Sequence, residues 1–74
     1  MEVDYSAFSR KLRQLREERG MTSQEIADAA GLSAAAICRY MNGSRKPDIG
    51  AVFTLAELFQ VRPETLFEME TEKE

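Results

Sequence analysis

Residues Thr22 to Asn42 read TSQEIADAAGLSAAAICRYMN, and the punctuation in this stretch decides the fold. Thr22 offers a side-chain oxygen to cap a helix, and Glu25, three residues on, can reach back to the N–H of the cap, the arrangement called a capping box. A helix therefore starts near Ser23. Gly31 follows a run of small and apolar residues, where a left-handed glycine ends a helix without steric cost. Ser33 then caps a second helix. Ala27 is small enough for another helix to cross close to its backbone, with Ile26, Leu32, Ile37 and Tyr40 supplying apolar contacts around the crossing. Two short helices joined by a tight turn, with the start of the second left exposed, make a helix-turn-helix over about residues 23–42. This is the form in which many proteins enter a DNA major groove.

Outward from this unit the same signals recur. Phe8, Leu12 and Leu15 fall at i, i+4 and i+7, one buried stripe of a helix from about Ser6 to Arg19, and Gly20 ends it. On the other side Asn42-Gly43-Ser44-Arg45-Lys46-Pro47 is dense in turn formers, and Pro47 bars a helix from passing through. Asp48 can cap a fourth helix ending near Gln60, in which Ile49, Val52, Leu55, Ala56 and Phe59 form an apolar face flanked by Phe53 and Leu58. Pro63 suits the first position of a short fifth helix, where Leu66 and Phe67 close the core. No strand pattern competes. The expected fold is all-α, a compact five-helix domain over residues 5–68, with residues 69–74 an acidic tail that frays.

Composition narrows the functional classes. A chain of 74 residues is one domain, burying only about 60 % of its unfolded surface. With 43 % apolar and 31 % charged residues it is ordinary for a globular domain and too apolar for a disordered one. Charges interrupt every apolar run, so a membrane span or hydrophobic leader is not expected, and a cytoplasmic location is the default. The single cysteine, Cys38, has no internal disulfide partner, and the absence of histidine excludes the usual zinc sites. No glycine-rich phosphate loop and no nucleophile with a nearby base is visible. The expectation is no enzyme, no cofactor, no metal and no small-molecule site.

A net charge of −3 at first argues against a polyanionic partner, because phosphate neutralisation dominates affinity for nucleic acid. The distribution reverses that argument. Residues 64–74 carry five glutamates and one lysine, which leaves residues 1–63 at +1. Arg39 to Lys46 holds three cations and no acid, runs from the end of the expected groove helix into the loop after it, and favours phosphate contact. Arg10 to Arg19 holds five cations against Glu17 and Glu18, and reads equally as a solvated helix face.

Leu15-Arg16-Glu17-Glu18-Arg19-Gly20, Ile26-Ala27, Gly31 and Ile37 to Asp48 together resemble the phage-repressor, or Xre/Cro-type, helix-turn-helix family. The resemblance runs from about Leu12 to Phe67 with its elements in order. It implies a five-helix, lambda-repressor-like domain: a sequence-specific transcriptional regulator, in most members a repressor, that binds double-stranded operator DNA as a homodimer.

Ser33 as cap places Ala34, Ala35 and Ala36 in the first turn of the third helix, the part that meets base edges in this docking mode. Alanine can touch a thymine methyl but makes no hydrogen bonds to bases, so Ala34 and Ala35 favour close approach over rich readout. Ala36 reads as a good helix former on an exposed face. Arg39, four residues beyond Ala35, is long enough to reach guanine O6 and N7 or a phosphate. The resemblance makes Ser44, Arg45 and Lys46, with Asn42 beside them, the phosphate-contacting loop. It also implies a phosphate contact at the start of the second helix, where the family usually has glutamine and this chain has Ser23 followed by Gln24. Cys38 stands where the family commonly has serine. Met41 stands where a glutamate often pairs with the arginine at position 16, so Arg16 must find another carboxylate, a carbonyl or solvent. A dimer would use apolar surface around Phe59, Leu66, Phe67 and Met69. The competing reading is a module that keeps this fold but binds another protein, as an antitoxin or co-regulator does, and no DNA.

Overall fold

The computed structural model describes residues 3–69. Among them are five helices: α1 Tyr5–Arg19, α2 Ser23–Ala30, α3 Ala34–Asn42, α4 Ile49–Phe59 and α5 Pro63–Leu66. Four of the five helices start at a side-chain cap, and α5 starts at Pro63. Thr22 and Glu25 form the capping box, with Glu25 N–H donating to Thr22 Oγ1 at 3.0 Å and Thr22 N–H to Glu25 Oε1 at 2.8 Å. Ser33 Oγ and Asp48 Oδ1 accept from the third residues of α3 and α4, at 3.0 and 2.8 Å. Asp4 caps α1 by accepting from Ser6 and Ala7, which starts that helix one residue before the expected Ser6. An Asp-x-Ser pattern carried this signal.

Gly31 adopts φ +70° at the end of α2, and Leu32 N–H then returns to the Ala27 carbonyl at 2.9 Å, which turns the chain into α3. The end of α4 needs the same left-handed residue and has Gln60 instead, at φ 58° and ψ 44°. A side chain at this conformation costs energy that glycine avoids. Gln60 is exposed. Gln60→Gly should therefore stabilise the domain by about 1 kcal/mol, raising the melting temperature by about 4–8 °C in a scan followed by circular dichroism. An unchanged or lower value would show that the strain is relieved elsewhere.

The helices enclose one core built from Phe8, Leu12 and Leu15 of α1, Ile26 and Ala27 of α2, Ile37 and Tyr40 of α3, Leu55 and Phe59 of α4, and Leu66 of α5. Ala27 is fully buried, as its place at the α2–α3 crossing requires. Phe8 lies edge-on to Tyr40 and tilted against Phe67, which joins α1 to α3 and to the residue that follows α5 through aromatic contact.

Two expectations need correction. Ile49 is 74 % exposed and Phe53 55 % exposed, so the buried face of α4 begins at Ala51 and Val52. Ile49 has the right spacing for the stripe but is the first residue of the helix, ahead of the buried Ala51 and Val52. Ala36, expected on an exposed face, is 5 % exposed and part of the core. At the other end, Glu68 pairs with Arg10 at 3.0 Å and Met69 N–H donates to Glu64 O at 2.9 Å, so the chain is held up to Met69. Residues 70–74 of the expected acidic tail lie outside the described residues.

Candidate nucleic-acid interface

Helix α3 has two distinct sides. Ala36, Ile37, Tyr40 and Met41 face the core, while Ala35, Cys38, Arg39 and Asn42 are exposed at i, i+3, i+4 and i+7, a single ridge along the helix. That ridge runs directly into the exposed Ser44, Arg45 and Lys46. The structure thus joins the expected reading residues and the expected loop into one continuous surface. Ala34 is only partly exposed and packs against the core, which limits its access to a base edge. Ser33 is spent as the cap of α3.

Asn42 bends the chain after α3: its Oδ1 accepts from Ser44 N–H at 2.9 Å, leaving the carboxamide NH2 as the group it can offer a ligand. The N–H groups of Gly43 and Ser44 both turn back to the Arg39 carbonyl. The next two, of Arg45 and Lys46, have no partner among the described residues. Lys46 Nζ sits 5.1 Å from the centre of the Tyr5 ring, a cation–π contact that holds the loop to the start of α1. At the start of α2, Gln24 Nε2 donates to Asp28 Oδ1 at 2.9 Å, so its amide is already engaged along its own helix. The first N–H groups of α2, at Ser23 and Gln24, remain unpaired as helix geometry requires, and attract anions.

The cations of α1 have a different use. Arg10 pairs with Glu68, Arg13 Nη1 donates to the Met41 carbonyl at the end of α3, and Arg19 Nη2 donates to the Phe59 carbonyl at the end of α4 at 2.8 Å. The Arg19 guanidinium also lies 5.6 Å from the Phe59 ring centre. Cations at helix C-termini meet the negative end of the dipole and the unpaired carbonyls there. Much of the α1 charge is therefore structural. Ser9 adds a neutral tie, its buried hydroxyl donating to the Tyr40 carbonyl at 2.6 Å. Sequence reasoning missed these roles because a carbonyl acceptor leaves no mark in the sequence.

Arg16 found neither carboxylate nor carbonyl among the described residues, and its Nε is buried without a partner. Met41 is 8 % exposed. The cation is thus left with solvent for its remaining donors, the third of the expected alternatives.

A five-helix domain whose third helix exposes one ridge, continued by a basic loop, is a helix-turn-helix domain of the lambda-repressor-like kind. The profile of the helix-turn-helix domain family matches residues 7–68, and the chain belongs to that family, in its phage-repressor-like, Xre/Cro-type branch. Among curated proteins it is 41 % identical over 61 residues to the HTH-type transcriptional repressor RghR of Bacillus subtilis (strain 168), covering 81 % of this chain and 45 % of that protein. The chain spans about half the length of the curated relatives it matches. Among solved structures, the restriction-modification controller protein C.AhdI from Aeromonas hydrophila superposes with a TM-score of 0.80 at 26 % identity, over 86 % of this chain and 97 % of that one. The P22 c2 repressor protein, in complex with synthetic operator 9T, has the same fold, with a TM-score of 0.80 at 17 % identity over 85 % and 96 % of the two chains.

Proposed function

We propose that this protein is a sequence-specific transcriptional regulator, a repressor that binds double-stranded operator DNA with α3 in the major groove. One observation carries the reading. Arg39, Arg45 and Lys46 are exposed on one continuous surface and have no carboxylate partner among the described residues, while Arg10, Arg13 and Arg19 are engaged within the fold. A module that only bound protein would have no need for exposed cations without carboxylate partners at all three places. The repressor name of RghR and the operator bound by the P22 protein support the same reading.

In this docking, Ala35, Cys38 and Arg39 meet base edges, and Ala34 lies at the margin of the contact. Ser44, Arg45, Lys46 and Asn42 hold the phosphates beyond α3, and Ser23 and Gln24 offer backbone N–H groups to a phosphate at the start of α2. These phosphate contacts position the domain without selecting sequence. Titration with random-sequence duplex at several salt concentrations tests the proposal. Arg45→Ala/Lys46→Ala should weaken every sequence alike and reduce the salt slope by about 1.8, the value for two lost phosphate contacts. Absence of salt-dependent binding by the unaltered protein would defeat it.

The regulator acts as a homodimer in this proposal, through apolar side chains that the fold leaves exposed. Phe59 and Leu66 are fully buried and cannot serve, whereas Ile49 and Phe53 are exposed one turn apart on α4. They border an apolar groove of about 290 Å3, shared with Tyr5, Val52, Pro63 and Phe67. A two-fold pair would read half-sites about 34–36 Å apart. Phe53→Lys should keep the fold and shift sedimentation to monomer, since a charge there opposes burial. A wild-type protein that stays monomeric at high concentration, with and without DNA, removes the dimer. No helix of the described residues is long and apolar enough to cross a membrane. A cytoplasmic site of action fits a regulator of this family.

A further inference from the structure

The contact between Lys46 and Tyr5 brings the start of α1 against the loop that follows α3, and the two segments enclose a pocket of about 90 Å3. Tyr5, Ser6 and Ser9 line one side, and Gly43, Arg45 and Lys46 the other. The Ser9 hydroxyl is spent on Tyr40, but three donors carried by lining residues, the Ser6 hydroxyl and the N–H groups of Arg45 and Lys46, have no partner among the described residues. Arg45 and Lys46 also bring two cationic side chains to the lining. The carboxylates nearest in sequence, Asp4 and Asp48, are both engaged as helix caps. At about 30 Å3 per water, the volume holds some three waters, room enough for a phosphate group.

We infer that this pocket receives one backbone phosphate of the bound duplex, with Tyr5 as the positioning residue that holds Lys46 at it and Ser6 as a direct donor. The inference rests on the DNA-binding reading above. It extends the contact surface to the start of α1, which the sequence had not singled out. Consecutive unpaired backbone N–H groups flanked by cations form the kind of concavity that binds phosphate.

The test measures random-sequence duplex binding and melting temperature for the full chain. Tyr5→Phe should bind as the unaltered protein does, because the ring face survives. Tyr5→Leu should weaken binding about two- to fivefold, the worth of an exposed cation–π contact, and should have no further effect in a Lys46→Ala background. Ser6→Asp should move stability and binding in opposite directions. A carboxylate in the first turn of α1 suits the helix dipole and keeps or raises the melting temperature. The same charge repels a phosphate and should weaken binding by about fivefold or more. If Tyr5→Leu still weakens binding in the Lys46→Ala background, or if Ser6→Asp binds duplex normally, the inference is overturned and the DNA-binding reading stands. If the unaltered protein shows no salt-dependent binding, that reading itself fails.

Discussion

Phe59→Ala should cost the domain about 3–5 kcal/mol of stability. Phe59 is fully buried at the end of α4, so truncation removes its transfer energy and opens a cavity among Leu55, Leu66 and their neighbours. The Arg19 guanidinium loses the ring beneath it as well. Against this, a chain of 74 residues commands about 4–11 kcal/mol in total at the usual per-residue range. Phe53→Ala, on the same helix but 55 % exposed, should cost well under 1 kcal/mol. Chemical denaturation of the two variants side by side checks both values. The pair also separates core from contact surface: a Phe59→Ala protein that kept its midpoint and changed only its sedimentation would return Phe59 to the dimer surface and refute the packing described above.

The second large effect concerns specificity. Arg39→Ala should cost about 1–3 kcal/mol on the preferred duplex, with a much smaller loss on random sequence. Ala35 contributes only a methyl group, Cys38 only a weak donor, and Asn42 an amide whose oxygen is held by Ser44, so no exposed neighbour on the ridge can replace a guanidinium that would grip guanine through two parallel hydrogen bonds. Arg39→Lys should recover affinity for random DNA without recovering discrimination, because an ammonium cannot reproduce the fork. Selection of preferred duplexes from a random pool, followed by competition binding of the three proteins, provides the measurement. Equal losses on all sequences would assign Arg39 to phosphate contact, and any readout by α3 would then rest on Ala35 and Cys38.

The frame of the fold was legible because its determinants are local. A capping box, two serine or aspartate caps and a glycine at the α2–α3 turn each act within four residues, and spacing exposes them. The ridge Ala35-Cys38-Arg39-Asn42 follows from the same periodicity once α3 is placed. Less legible was the division of labour among the arginines. Arg13 and Arg19 find carbonyls 28 and 40 residues away, and every residue carries a carbonyl, so composition can only register a basic helix. Ile49 misled for a different reason: periodicity assigns a face but not how far the core extends beneath it. Gln60 departs from the rule that glycine takes the left-handed position, and the chain simply carries that strain.

The ties from α1 to the end of α3 also bear on the duplex. Ser9 and Arg13 hold the carbonyls of Tyr40 and Met41, Ser33 fixes the other end of the helix, and its inner side is packed throughout. These ties oppose sliding or tilting of the helix toward an imperfect site. In the proposed complex the adjustment would then fall to the DNA, whose bending and groove width would decide how well a site fits. Base steps that deform easily should be favoured even where no side chain reaches them, and part of the regulator's selectivity would be written in the stiffness of its target.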